Sequence, residues 1–210
     1  MKGYLGCTGL ILSALLLAGC GVNSDEAHQH SINTVSAPFA SGAITLNLRA
    51  EPGLNSVNEL PNSCTVLLIQ AKDKPSLDKV LNNPTLLKGL FAGAGSEGEV
   101  LQLDRYVMMP GQTNILHIDR AQNTRNIALV AGYYPFPVKQ HMLTAEIPVE
   151  TQSSGWWSPV WQSRLASTTL SVTLGSESIV DAGESKASDS PAPKTASVQP
   201  SAAAVVEEKG

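Results

Sequence analysis

The sequence predicts a mostly β protein: a two-sheet sandwich with a small helical insertion, set between a flexible N-terminal leash and a disordered C-terminal tail. Three observations predict it. Between residues 43 and 174, short apolar or alternating runs recur with turn residues between them, as in a sandwich. One stretch, 76–91, departs from that pattern and carries apolar residues at helical spacing. The flanks are polar or low in complexity and carry no period of either kind.

The elements follow in order. Ile44, Leu46 and Leu48 alternate with Thr45, Asn47 and Arg49, a strand with one buried face. Thr65 to Ile69 is a continuous apolar run and reads as a central strand covered on both faces. Ser76 is placed to cap a helix carrying Leu77, Val80 and Leu81, and Pro84 opens a second turn carrying Leu86, Leu87, Leu90 and Phe91. Gly93 to Gly98 is a glycine-rich loop with no Lys and no following helix, so a phosphate cradle is excluded. Val100 to Val107 alternates, with Leu101 and Leu103 on one face, and Pro110-Gly111 makes a turn. Ile115 to Ile118, Ile127 to Tyr134, Leu143 to Val149 and Thr169 to Leu174 complete a set of about seven strands. The domain therefore runs from 42 to 176. From Glu177 to Gly210 the chain is rich in Ala, Ser and Pro, carries six acids against three lysines, and reads as a disordered tail.

The N-terminus reads as a signal. Lys2 precedes an apolar run from Leu10 to Ala18, broken only by Ser13 and too short to span a bilayer. The run ends in Leu17-Ala18-Gly19-Cys20, which resembles the bacterial lipobox. That resemblance implies removal of residues 1–19 and a lipid on Cys20, an N-acyl chain plus S-diacylglycerol, enough to anchor stably. Gly21 stands where an Asp retains many Gram-negative lipoproteins at the inner membrane, which implies the outer membrane, facing the periplasm. Residues 20–41 then form the lipidated cysteine and a linker.

Composition narrows the function. Formal net charge is −4 and charged residues are 15% of the 210, below the roughly 25% of an average globular domain. No basic run is present, which argues against nucleic acid. With Cys7 in the signal and Cys20 acylated, Cys64 has no disulfide partner and reads as a buried small hydrophobe. His28 and His30, near Asp25 and Glu26, could hold a metal, but a leash makes a poor cage and they read as solvated. His117 with Asp119, and His141 with Glu146, read as structural. No nucleophile elbow, zinc-protease motif or Cys-x-x-Cys occurs. The chain thus reads as a non-enzyme with no metal and no cofactor beyond the lipid. Trp156, Trp157 and Trp161 follow Ser153-Ser154-Gly155. They either grip a sugar or a peptide, as in a periplasmic ligand-binding lipoprotein, or plug one end of the sandwich.

Four stretches carry a family resemblance: the lipobox and leash; Cys64-Thr65-Val66-Leu67-Leu68-Ile69-Gln70 leading into the helical insertion; Met109-Pro110-Gly111-Gln112; and Ile127-Ala128-Leu129-Val130-Ala131-Gly132-Tyr133-Tyr134. Together they resemble the outer-membrane lipoprotein of the type VI secretion system, the TssJ family. The resemblance implies a transthyretin-like sandwich, no catalysis, and a role in the trans-envelope complex. That role is to bind the periplasmic C-terminal part of a TssM-like inner-membrane subunit and, indirectly, a third membrane subunit. It places the partner-binding loop between the first two strands, at about 50–63, with Glu51, Pro52, Gly53, Leu54, Asn55, Val57, Asn58, Glu59 and Leu60. Leu54, Val57 and Leu60 either form an apolar docking surface or fold back on the core.

Overall fold

The computed structural model describes residues 23–94, 98, 100–135, 138–156 and 160–186. The signal region, Cys20, Trp157 and the tail beyond 186 lie outside the described residues. In chain order the elements are α1 (Asn23–Asn33), β1 (Ala40–Ala50), β2 (Cys64–Ala71), α2 (Lys74–Leu81), α3 (Pro84–Ala92), β3 (Gln102–Met108), β4 (Thr113–Arg120), β5 (Asn126–Ala131), β6 (Met142–Glu146), β7 (Val149–Ser154), β8 (Val160–Leu165), β9 (Thr168–Leu174) and β10 (Ile179–Lys186).

Two four-stranded sheets face each other, one ordered β10-β9-β1-β4 and the other β3-β2-β5-β6, while β7 and β8 pair only with each other. Because successive strand residues face opposite ways, the alternation decides the layers. Ile44, Leu46, Leu48, Val66, Leu68, Ile127, Leu129, Leu170 and Val172 point between the sheets and form the main core. The other face of the second sheet is also apolar: Leu67, Ile69, Ala128 and Val130 meet Leu77, Val80, Leu87 and Leu90 of the two helices. This is why β2 reads as unbroken Val-Leu-Leu-Ile. One face packs on the facing sheet and the other on α2 and α3.

The helical insertion has its own stop and start signals. Asp73, not Ser76, caps α2, its carboxylate accepting from Ser76 N at 2.8 Å. Pro75 sits in the first turn, where its missing N–H costs nothing, so the cap lies three residues earlier than expected. Asn83 caps α3 through Leu86 N at 3.0 Å, and Gly93 ends it in the left-handed conformation at φ 92. Gly132 lets α3 approach, because a Cβ there would lie 2.8 Å from Phe91 Cε1 and 3.0 Å from Thr65 O.

The structure corrects four sequence expectations. The expected strand 143–149 is two strands, β6 and β7, split at Pro148, which cannot donate to a ladder. The expected strand 127–134 stops at Ala131, where Tyr133 turns inward and its hydroxyl donates to Ser178 O at 2.8 Å. The leash is not structureless, since 23–33 is the helix α1. The segment after Glu177 does not begin as a disordered tail: β10 pairs antiparallel with β9 over Ile179 to Lys186. From Asp181 to Ser185 the strand is exposed and carries no large apolar residue, and backbone pairing along an open sheet edge needs none.

Two buried polar side chains, Gln70 and Arg120, lie at the end of the sandwich where β1 begins. Gln70 is fully buried and joins the sheets, donating to Asp119 O at 2.8 Å and accepting from Ala121 N at 2.9 Å and Thr124 Oγ1 at 3.0 Å. Arg120 is buried with Nη1 donating to Ala166 O at 3.2 Å, while its Nε has no partner. Asp119 faces outward, accepts from Ser41 Oγ and Gly42 N at 2.8 Å each, and is held below the usual carboxylate range by those bonds.

Candidate functional site

The segment 51–63 leaves β1 at Ala50 and returns into β2 at Cys64. It is a braced lobe. Glu51 N donates to Leu174 O at 2.9 Å, Asn55 N to Gly175 O at 3.3 Å, and Ser56 N to Ser176 O at 2.8 Å. Asn55 locks it further: its amide donates to Ser63 O at 2.8 Å and its carbonyl accepts from Tyr134 N at 2.9 Å. Its backbone is left-handed, φ 46, which Asn tolerates better than most residues.

Leu54 points inward and is fully buried in the main core. It does not line a docking surface, because the brace to Gly175 and Ser176 turns it under the lobe. Val57 is half-buried. Leu60 projects, 68% exposed. Val57 and Leu60 exchange two backbone hydrogen bonds of 3.0 Å, closing a two-residue turn over Asn58 and Glu59 with φ 51 and 65. Both central residues have positive φ, the signature of a type I′ turn. Glu59 gains nothing from that conformation, which costs a non-glycine residue about 1–2 kcal/mol. Glu51, Pro52, Asn58 and Glu59 are exposed and Gly53 is half-buried. Of the nine residues expected in this loop, Leu54 and Asn55 build it, and the turn 58–60 with Glu51 and Pro52 forms its outer surface.

Trp156 and Trp161 have different surroundings. Trp161, on β8, stacks on His28 of α1 with ring centroids 4.2 Å apart. His28 Nε2 also meets Thr151 Oγ1 at 3.2 Å, and Ser31 Oγ meets Ser163 Oγ at 2.8 Å. Trp161 is therefore the seat of the N-terminal helix, not a plug in the sandwich. Trp156 lies beyond the end of β7 and is 91% exposed. A cavity of about 640 Å³ opens beside the C-terminal end of α1, lined by Val35, Lys72, Asp73, Arg125 and Glu146 among others, with no tryptophan in its wall.

The other histidines and the cysteine singled out in the sequence make local contacts. His117 is exposed and lies 3.4 Å from Thr45 Oγ1, while Asp119 is engaged with Ser41, so they form no dyad. His141 is buried against Tyr133, ring centroids 4.7 Å apart, and its Nδ1 accepts from Val138 N at 3.1 Å. Burial lowers its pKa, partly offset by a hydrogen bond to the backbone of Glu177. Cys64 is a free, fully buried thiol whose pKa burial raises to about 11. Among the described residues, no three His, Cys, Asp or Glu side chains lie close enough to hold a metal ion. No described helix is long and apolar enough to cross a membrane.

These features define a two-sheet β-sandwich that carries its N-terminal segment on an external hairpin and holds out a strained turn at its surface. The type VI secretion lipoprotein family (VasD, EvfM, TssJ) matches residues 42–176, and the chain belongs to that family. It is thus a membrane-associated structural lipoprotein of type VI secretion and not an enzyme. Among solved structures, the type VI lipoprotein TssJ1 from Pseudomonas aeruginosa is similar at 18% identity and a TM-score of 0.48, covering 75% of this chain and 99% of that one. Lip from Serratia marcescens, a membrane-bound component of the same system, is similar at 16% identity and 0.44, covering 69% and 98%. A structure of the TssM C-terminal domain from EAEC is similar at 14% identity and 0.46, covering 65% and 94%. None of the curated proteins matches the chain. At these identities the family assignment rests on the sequence match over 42–176.

Proposed function

We propose that this chain is an outer-membrane lipoprotein, acylated on Cys20 and facing the periplasm. In this reading it holds the periplasmic C-terminal part of a TssM-like inner-membrane subunit through the lobe 51–63, and through that subunit meets a third protein of the complex. The carrying observation is the lobe itself. It is tied down at Asn55, Ser56 and Asn62, yet it spends conformational energy on holding Asn58 and Glu59 at positive φ beside an exposed Leu60. Strain kept in a rigid support is common where a surface is preorganised for a ligand, and an exposed leucine on a rigid turn binds at little entropic cost. Family membership supplies the context, and the lipobox with Gly21 supports the outer-membrane anchor. In the alternative reading, a ligand-binding lipoprotein that uses the tryptophans, Trp161 is taken out of the candidate surface by its stack on His28.

The test uses the mature chain with Cys20→Ser as bait in detergent-solubilised envelopes. It must extend past residue 186, because β10 completes the first sheet. Mass spectrometry of the bound fraction should find the large inner-membrane secretion subunit, and Leu60→Asp should reduce its recovery at least tenfold. A folded bait that recovers no such subunit refutes the adaptor role. Equal recovery by Leu60→Asp refutes the lobe as the contact.

A further inference from the structure

The β7–β8 hairpin belongs to neither sheet of the sandwich. What lies against it is α1, and the register of their contacts gives the helix a direction. Along the hairpin, Val149 pairs with Leu165 at the base, Thr151 with Ser163 in the middle, and Ser154 with Val160 next to the tip. Ile32 shares a cavity wall with Val149 at the base, Ser31 touches Ser163 in the middle, and His28 touches Thr151 on that same rung and Trp161 two residues nearer the tip. Going backward along α1 therefore means climbing toward the hairpin tip. From His28 to Asn23 the helix climbs up to about 7.5 Å more at 1.5 Å per residue. From Trp161 to the last pair of the hairpin is one residue, about 3.4 Å. The first residue of α1 thus comes close to the level of Val160.

Cys20 precedes Asn23 by three residues, which span at most about 11 Å however they run. A lipid on Cys20 therefore brings the hairpin tip to the surface of the bilayer that takes up its acyl chains. The chemistry of the tip suits that place. Trp156 is 91% exposed and Val160 is 58% exposed. No charged residue occurs from Thr151 to Ser163, and the nearest pair, Glu150 with Arg164, is closed on itself at 3.0 Å. Tryptophan favours the interface between headgroups and acyl chains, where its ring is buried and its N–H stays among polar groups. Asp25 and Glu26 stand in the first turn of α1. The contact is accordingly made by an uncharged aromatic residue and not by attraction to anionic lipid.

We propose that the tip of the β7–β8 hairpin, through Trp156 and Val160, is a second membrane-contacting element, seated in the interfacial layer of the leaflet that anchors Cys20. The inference rests on the lipid-anchor reading. It adds that the body is held in a fixed attitude beneath the membrane, because α1 and the hairpin form one unit through the His28–Trp161 stack.

The test is made on the full acylated chain carrying Trp157→Phe and Trp161→Phe, which leaves Trp156 as the sole tryptophan and keeps a ring under His28. The chain is reconstituted in vesicles of phosphatidylethanolamine and phosphatidylglycerol, with and without bromine at the 6,7 positions of the acyl chains. The bromolipid should quench Trp156 emission at least twofold, and aqueous iodide should quench it less than in the unacylated Cys20→Ser chain in buffer. Ser154→Cys with a nitroxide label is a second probe that leaves the stack intact, Cys64 being buried and Cys20 acylated; it should show raised oxygen accessibility on vesicles. Emission unaffected by bromolipid, from chains shown by flotation to be vesicle-bound, overturns the inference. So does a Trp156 signal that changes only when the partner's periplasmic domain is added, which would make the tip a protein contact. Mass measurement of the N-terminal peptide separates the two readings. Without acyl chains the anchor falls and this contact falls with it; acyl chains present with an unquenched tip remove this contact alone.

Discussion

Leu54 and Leu60 lie six residues apart in one lobe, and the structure gives them opposite roles. Leu54 is fully buried among the side chains of both sheets. Leu54→Ala removes three carbon groups, worth about 2.4 kcal/mol at roughly 0.8 kcal/mol each. The brace to Gly175 and Ser176 prevents the lobe from collapsing into the space, so a cavity cost follows and the expected loss is about 3–4 kcal/mol. Leu60→Ala removes the same atoms from a side chain that is 68% exposed, and its effect on stability should stay within about 0.5 kcal/mol. Urea unfolding followed by circular dichroism measures both. Partner binding, measured below the unfolding transition of each variant, should reverse the order: Leu60→Ala weakens it and Leu54→Ala leaves it near wild type. Should Leu54→Ala unfold at the wild-type urea concentration while losing the partner, Leu54 would be an interface residue and the inward packing described above would be wrong.

Three further outcomes follow from the same geometry. Glu59→Gly relieves the left-handed backbone at φ 65 and should stabilise the folded chain by about 0.5–1 kcal/mol, read as a raised urea midpoint; a lowered midpoint would show that the Glu59 side chain holds the turn. Gly132→Ala places a Cβ 2.8 Å from Phe91 and 3.0 Å from the Thr65 carbonyl. It should cost about 1–3 kcal/mol by pushing α3 off the second sheet, and an unchanged midpoint would mean that α3 shifts freely. His141 has a lowered folded pKa because burial disfavours its charged form, so the unfolded chain binds more protons as pH falls. Its stabilising contribution is fully present above the unfolded value of about 6.5 and declines as pH drops below it. Urea midpoints should fall from pH 7 toward pH 5, and His141→Phe should flatten that slope. Asp73 and Asp119, whose folded pKa values are lowered by hydrogen bonds, lose their contribution in a separate window, below the carboxylate range of about pH 4.

What was legible in the sequence is what side-chain burial writes into it. The inward face of β1 is Ile44, Leu46 and Leu48, and burial on one face produces that alternation. The unbroken run of β2 records a strand with packing on both faces. The helices α2 and α3 carry apolar spacing and prolines in their first turns. The elements that escaped are held in other ways. β10 joins its neighbour through backbone hydrogen bonds at an open edge, so its Asp181-Ala182-Gly183-Glu184-Ser185 reads as tail. α1 is fixed by single contacts at His28 and Ser31, and one histidine on one tryptophan leaves no period; the acids in its first turn were the available signal. The hairpin β7–β8 touches the main core at its base, through Leu165, so Thr151 to Ser163 carries no alternation of apolar and polar residues. Within the candidate site, the loop's position between the first two strands was readable but its inside and outside were not. Leu54 and Leu60 are the same residue type, and only the tie to Gly175, more than a hundred positions away, turns one of them inward.

The topology also determines how a load would pass through the molecule. In the proposed assembly the membrane holds the chain through Cys20 and α1, upstream of Ala40, and the partner holds the lobe that begins at Glu51. The segment between those grips is β1 itself, eleven residues from Ala40 to Ala50, about 35 Å at strand rise. Tension between the envelope membranes is therefore applied to the two ends of one strand. That strand lies inside its sheet, paired in parallel with β9 from Ile44 to Ala50 and antiparallel with β4 over nearly the same residues. Pulled along its axis, it loads both ladders in shear, and many hydrogen bonds must fail together before it slides. A strand at the sheet edge, or one pulled sideways from one end, would release its bonds one at a time. Forced unfolding is governed by the unfolding rate and not by equilibrium stability, so the placement of β1 between two partners protects the anchor even where its overall stability is ordinary. It also explains why the lobe is tied to the far end of β9 at Leu174, Gly175 and Ser176: part of a pull on the lobe passes directly to the neighbouring strand.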